Sequence, residues 1–230
     1  MQRFSFFALL ILVVSALGLA SCRKTDEPGY RYNLPAGVQR IVPADLIDTL
    51  RRKGMIIHEG VTPPALDGAF RASPYELLTP YGPEDAWRRG KVIPDYKFRF
   101  YDQSDDRLAI KMDKKQPLGN DVSTGLGAFV AGSDQTFTIF AEISGQTGNA
   151  TYTHLAVLSG ELTPQGIRNF QYAFLLKEKN DPDDDLIAVG KTRVWRDGDG
   201  FAAREAVFRR AAEEALRQTT LTDAGVGSRR

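Results

Sequence analysis

The chain is poor in the residues that most often build metal sites, disulfides and acid–base machinery. Its 230 residues include one cysteine and two histidines. A lone cysteine cannot close an intrachain disulfide, and with two histidines it falls short of a Cys/His zinc set. Neither charge is in surplus: 30 Lys and Arg face 29 Asp and Glu, for a formal charge of +1. A nucleic-acid binder needs a basic excess to displace counterions from phosphates, so nucleic acid is set aside as a partner. The Gly-x-Ser-x-Gly elbow of lipases is also missing. The glycine-rich Ser123-Thr124-Gly125-Leu126-Gly127 lacks the lysine of a phosphate loop and the helix that follows a dinucleotide site. It reads instead as a bend or bulge entering a strand. No motif calls for a cofactor, and none announces an enzyme.

One long apolar run exists, and it stands at the start. Arg3 is followed by a nearly unbroken apolar stretch over 4–19, closed by Leu19-Ala20-Ser21-Cys22. A charged start, an apolar middle and a small-residue end make the layout of a secretory signal. The run is shorter than the ~20 residues that a spanning helix needs, which sets the signal reading above an uncleaved anchor helix. Leu19-Ala20-Ser21-Cys22 resembles the lipobox of bacterial lipoproteins, in which the cysteine is diacylated and becomes the mature N-terminus. The resemblance implies that residues 1–21 are a cleaved signal peptide, that Cys22 is lipidated, and that the membrane is a partner through this anchor. Each buried CH₂ of an acyl chain contributes about 0.8 kcal/mol, and more than one chain makes the attachment stable. Arg23-Lys24-Thr25-Asp26-Glu27 is similar to the surface-export signal of Bacteroidota lipoproteins. The expected location is the outer membrane, with the periplasmic face and the cell surface both open. Charge, Pro28-Gly29 and weak periodicity make residues 22–42 a tether.

Beyond the tether, Pro43 to Lys53 has the spacing of a short helix, with Leu46, Ile47 and Leu50 on one face and Gly54 as its stop. From Leu66 the period changes to two. Phe98 and Phe100 alternate with Lys97 and Arg99; Ile110 and Met112 alternate with Lys111 and Asp113; Phe137, Ile139, Ala141 and Ile143 share a face. About eight strands are predicted, near 66–72, 95–102, 107–113, 125–131, 135–144, 150–161, 167–178 and 186–195. Short polar turns separate most of them, as in antiparallel hairpins, and no helical crossover allows a parallel sheet. An open meander would leave two exposed edges, so the expected fold is all-β: an eight-stranded antiparallel up-and-down, lipocalin-like barrel over 43–200. A β-sandwich is the alternative. Residues 201–218, rich in Ala, Glu and Arg, read as a C-terminal helix, and 219–230 as a disordered tail.

The aromatics on the inward faces are the features closest to a site. Barrels of about eight strands either fill with side chains or hold one small ligand. A cavity would single out Tyr96, Phe98, Tyr152, His154 and Tyr172 as ligand-binding candidates, because polar-tipped rings fix orientation in apolar pockets. The alternative is a filled core, with His154 a hydrogen-bonded wall residue. Asp181, Asp183 and Asp185 alternate in one loop and form a weak Ca²⁺ candidate. They lack the glycine and terminal glutamate of an EF-hand, which favours a solvated hairpin tip. A hydrolase would need paired carboxylates, such as Glu142 with Asp95 or Glu161, facing each other across a cleft.

Several segments together resemble a group of uncharacterised Bacteroidota lipoproteins. They are the lipobox, Gly54-Met55 with Pro63-Pro64-Ala65-Leu66-Asp67-Gly68, Ser73-Pro74-Tyr75, Phe137-Thr138-Ile139-Phe140-Ala141-Glu142, Phe170-Gln171-Tyr172-Ala173-Phe174 and Arg196-Asp197-Gly198-Asp199-Gly200. The resemblance spans about 43–200. It implies an envelope location and a barrel-like β-fold, and it carries no reaction. The expected function is a non-enzymatic envelope lipoprotein that binds a small apolar or glycan ligand or another envelope protein. The alternative is an interaction module with no cavity.

Overall fold

The computed structural model describes residues 31–208. Half of the described residues are in strands and 8% are in helices. Among the described residues, two helices, α1 (Ala36–Ile41) and α2 (Ala44–Arg52), precede the strands. The strands are β1 (Val61–Thr62), β2 (Gly68–Ala72), β3 (Tyr75–Thr79), β4 (Val92–Ile93), β5 (Tyr96–Tyr101), β6 (Ala109–Lys115), β7 (Val122–Ser133), β8 (Thr136–Thr147), β9 (Ala150–Leu162), β10 (Gly166–Asn180), β11 (Thr192–Asp197) and β12 (Phe201–Glu205). Among the described residues, no helix is long and apolar enough to cross a membrane.

All twelve strands join one hydrogen-bonded sheet. From β5 to β10 each strand pairs antiparallel with its successor. The edge of β10 is then divided. Residues 166–168 pair with β12 and residues 171–175 pair with β11. β12 continues to β2, and β2 to β5, so the hydrogen bonding closes into a ring. β11 continues to β3 and β4 as a branch. The breaks in neighbouring strands are fastened together. The Ser73 N–H donates to Asp197 Oδ2 at 2.9 Å, and the Gly198 N–H donates to the Pro74 carbonyl at 2.7 Å. On β10, Asn169 takes a positive φ of 52° and its N–H donates to the Gly200 carbonyl at 2.8 Å.

The alternation read from the sequence sets which side chains face inward. Phe98 and Phe100 of β5 are buried while Lys97 and Arg99 are not. Phe70, Phe98, Phe100, Phe137, Phe170 and Met112 fill one half of the interior with no solvent contact. The rings pack at aromatic distances, with Phe98 and Phe170 at 4.9 Å and Phe70 and Phe100 at 5.8 Å. Burying each such side chain contributes roughly 1.5–3 kcal/mol.

Part of the outer wall is buried too. In β8, Phe137 to Ala141 are all buried, Thr138 and Phe140 included. The segment after the helices bonds to this wall, and α1 packs on the neighbouring β7. Gly37 of α1 lets the Phe129 ring approach so closely that a Cβ there would sit 2.3 Å from it. The His58 N–H donates to Thr138 Oγ1 at 2.8 Å. Gln171 accepts from the Ile56 N–H at 2.7 Å and donates to the Gly54 carbonyl at 3.1 Å. Buried polar groups of the wall thereby find partners. The strap ends where it began: the Gly60 N–H donates to the Asn33 carbonyl at 2.8 Å, and the Gly132 N–H to the Gly60 carbonyl at 3.1 Å. This junction lies beside the β7–β8 turn.

Each of the eight strands expected from Leu66 onward has a counterpart, and several expectations are corrected. The stretch assigned to a helix over 201–218 begins with β12, because open edges on β10 and β2 accept its backbone and outweigh the helix preference of Ala, Glu and Arg. The rest of that helix lies outside the described residues beyond 208, as do the 219–230 tail, the signal peptide and Cys22. The ring closes through β12, while β11, the expected last strand, leads into the branch. The tether over 22–42 contains α1, and Leu34, Val38 and Val42 are buried. One pairing is parallel after all, the two-residue contact of β1 with β7. The glycine-rich run bulges inside β7, between Gly125 and Gly127.

Candidate functional site

The other half of the interior is open. A cavity of about 510 Å³ lies at the end formed by the β3–β4, β6–β7, β8–β9 and β10–β11 connections. This is the end away from the β7–β8 turn. The volume falls within the roughly 300–1,000 Å³ of small-molecule sites. Its walls are Tyr75 of β3, Tyr96 of β5, Tyr152 and His154 of β9, Tyr172 and Phe174 of β10 and Trp195 of β11. Trp87, from the β3–β4 loop, closes part of the mouth and meets Trp195 edge-on at 5.8 Å.

The floor carries a buried ion pair. Ile110 and Met112 of β6 point inward, and the two-residue period carries Lys114 inward after them. Its Nζ lies 2.9 Å from Oδ2 of Asp121, the residue that precedes β7. The short β6–β7 connection holds the two strands together, with the Gln116 N–H donating to the Asp121 carbonyl at 2.9 Å. Asp121 also accepts from the Tyr96 hydroxyl at 2.7 Å and from the Tyr152 hydroxyl at 2.5 Å. The ammonium lies 4.8 Å from the centre of the Tyr96 ring and 5.6 Å from that of Tyr172, within cation–π range. Tyr172 and His154 share a hydrogen bond of 2.8 Å between the hydroxyl and Nε2.

These contacts fix the protonation states. Burial pulls Lys114 toward its neutral form, but the Asp121 carboxylate and the phenols around it hold its pKa well above the usual lysine value. Burial pushes Asp121 up, and Lys114 with the two phenol donors brings it below the usual carboxylate range. Burial, reinforced by Lys114, lowers His154 to about 3, so the imidazole is neutral. Tyr96, Tyr152 and Tyr172 are all raised, first by burial. Near neutral pH the floor therefore presents an ammonium, a carboxylate, neutral phenols and a neutral imidazole. Lys114 in this state is no amine nucleophile, and the phenols are not phenolates.

A second ion pair stiffens the mouth. Arg193 of β11 grips Asp85 of the β3–β4 loop with two hydrogen bonds, at 2.9 and 2.6 Å. Burial raises the Asp85 carboxyl, but Arg193 and the N–H groups of Trp87 and Tyr81 override this and hold it at about 2. The guanidinium of Arg193 sits 4.2 Å above the Trp87 ring.

Of the residues singled out in the sequence, Tyr96, Tyr152, His154 and Tyr172 come together on the cavity wall. Phe98 does not line it. It lies underneath, packed on Phe170 and on Tyr172 at 5.5 Å. Asp181 is turned to Lys179 and to the N–H groups of Asp185 and Leu186, and Asp183 to Asn149. Asp185 reaches the cavity rim. Among the described residues, no group of three or more His, Cys, Asp or Glu is placed to hold a metal. Glu142, Asp95 and Glu161 pair with Lys177, Arg71 and Arg168 respectively, and none of the three lines the cavity. Sequence reasoning missed Lys114, Asp121, Trp87 and Arg193, and did not single out Tyr75, Phe174 or Trp195 as cavity residues. Compared with family models, with curated proteins and with solved structures, the chain matches none.

Proposed function

We propose that this protein is a non-enzymatic lipoprotein of the cell envelope, of the Bacteroidota type its motifs resemble, that holds a small apolar or glycan ligand. In this reading the kinked pairs β2–β3, β4–β5 and β11–β12 each act as one wall strand. With β6 to β10 they make an eight-stranded up-and-down, lipocalin-like barrel, closed at one end and open at the other. Acylation of Cys22 attaches it to the outer membrane, on the periplasmic face or at the cell surface.

The observation that carries the proposal is the cavity of about 510 Å³, walled by aromatic rings over a paired, charge-neutral floor. An apolar pocket with a few convergent polar groups is the usual form of a small-molecule site. The resting protonation states of the floor supply hydrogen bonds and no activated nucleophile, which supports binding over turnover. The competing reading, an interaction module without a cavity, leaves this space and its polar floor unexplained.

Native mass spectrometry of the protein purified from its host tests the proposal. The expected result is an added mass from a bound small molecule, with a diacyl modification at residue 22. A bare chain with an intact Met1 and an unmodified Cys22 would overturn it.

A further inference from the structure

We infer that the cavity takes a neutral ring bearing vicinal hydroxyls, a sugar residue being the simplest case, in preference to a fatty acid or an organic cation. The inference rests on the reading of the cavity as a ligand site, and it names the chemical class.

Charge balance is the first argument. The buried charges at the site cancel in pairs, Lys114 with Asp121 and Arg193 with Asp85. The remaining charged lining residue, Asp185, is exposed at the rim. A ligand carboxylate on the floor would have to share Lys114 with Asp121, and a ligand cation would have to share Asp121 with Lys114. Either brings a third charge into a desolvated site, where an uncompensated ion costs several kcal/mol. A neutral ligand does not.

Hydrogen-bonding capacity is the second. The Lys114 ammonium has three N–H donors, of which Asp121 and the Tyr172 hydroxyl take two; among the described residues, Asp121 Oδ1 accepts from Tyr152 alone while Oδ2 accepts from Lys114 and Tyr96. Spare donor capacity on Lys114 therefore stands beside spare acceptor capacity on Asp121 Oδ1, within a pair already joined through Oδ2 at 2.9 Å. A vicinal diol has the matching pattern: one hydroxyl oxygen accepts from the ammonium while its neighbour donates to the carboxylate. A hydrocarbon chain uses neither. The amides of Gln116 and Asn120 add donors and acceptors on the lining.

The rings are the third. Tyr75 stacks on Trp195 at 5.2 Å and 12°, and Tyr152 stacks on His154 at 5.0 Å and 8°. Each of these rings spends one face on its partner, and Tyr75 and His154 are contacted again by Tyr96 at 5.2 Å and Phe174 at 5.3 Å, so Trp195 and Tyr152 have at most one face left for a ligand. That suits one-sided packing against the C–H face of a sugar ring, and does not suit a flat aromatic molecule that would need a ring on both sides.

Both tryptophans of the chain, Trp87 and Trp195, line the cavity, so tryptophan emission reports on this site alone. The full chain is titrated with methyl glycosides of neutral hexoses, with dodecanoate and with choline. At least one glycoside is expected to give a saturable emission change, and dodecanoate and choline none. Gln116→Ala, at the rim, is expected to weaken the glycoside at least threefold. The double variant Lys114→Met with Asp121→Leu, checked for folding by circular dichroism, is expected to weaken it at least tenfold. Saturation by dodecanoate or choline with no glycoside binding overturns the inference and leaves the cavity reading standing. So does a host-derived ligand without hydroxyls. If no probe binds and the host protein carries nothing, both fall together.

Discussion

Lys114 Nζ lies 2.9 Å from Asp121 Oδ2, and both side chains are at least nine-tenths shielded from solvent. Removing one partner of such a pair leaves the other as an uncompensated buried charge. Lys114→Met is expected to lower unfolding stability by about 3 kcal/mol at neutral pH, since the Tyr96 and Tyr152 hydroxyls still solvate Asp121. In the native protein the Asp121 pKa is depressed, so its contribution is present above the unfolded value and is lost as pH falls. In the variant the lone carboxyl is raised instead, and it gains stability on protonation. The gap between the two proteins should narrow toward pH 4. Urea denaturation at pH 7 and pH 4 measures it, and a pH-independent gap would contradict the pairing.

His154 and His58 are the only imidazoles of the chain. Burial and Lys114 hold His154 at about 3, while burial lowers His58 more modestly. A base with a lowered folded pKa stabilises above its unfolded value of 6.5 and loses that contribution as pH falls through the window down to about 3. Nitrogen-15 NMR titration should show one imidazole with a midpoint below 6.5 and another that stays neutral through pH 4. Tyr172→Phe should cost about 1–3 kcal/mol by removing the hydroxyl partner of a buried Nε2.

Asp85 and Arg193 govern the mouth. The Asp85 carboxyl is depressed to about 2, so its contribution is complete above the ordinary value of 3.8 and disappears as pH falls from about 4 to about 2. Because Arg193 stacks on Trp87, the same step should appear in tryptophan emission. Asp85→Asn should abolish that acid step and increase solvent quenching of Trp87 at pH 7. Unchanged emission in the variant would show that the pair does not hold the loop.

The acids at the strand break behave in the opposite sense. Burial and the neighbouring Asp199 raise the Asp197 carboxyl to about 6. An acid with a raised folded pKa stabilises below its unfolded value of 3.8 and loses that contribution as pH rises through about 6. Thermal melts should therefore show a fall in stability between about pH 4 and pH 6.5 on top of other titrations. Asp199→Ala, which removes the carboxyl that shares a hydrogen bond with Asp197 and, with it, the like charge, should move the midpoint of that fall downward. A midpoint unmoved by this substitution would assign the shift to burial alone.

Much of the wall was legible because side-chain direction in a strand follows a two-residue period. Tyr96, Tyr152, His154 and Tyr172 could be placed on inward faces from that rule alone. Lys114 obeys it as well: extending the run Ile110–Met112 by one more step reaches it, and only its charge argued against continuing. Asp121 gave no such signal. Its position depends on how the β6–β7 connection closes, and a lone acid before a strand looks like any turn residue. Trp87 and Arg193 meet across a loop, so their association is tertiary and has no periodicity. The same applies to β12, whose Ala, Glu and Arg favour a helix until two vacant strand edges claim the backbone. Phe140 was legible as apolar but not as covered, because the segment that bonds to the outer wall of β8 precedes that strand by about eighty residues, as His58 and Thr138 show.

The junction of Asn33, Gly60 and Gly132 gives the domain a front and a back. The described chain enters beside the β7–β8 turn, while the cavity opens at the other end of the strands. A pull transmitted through the upstream chain would therefore reach the strap and the short β1–β7 contact before the end that holds the cavity.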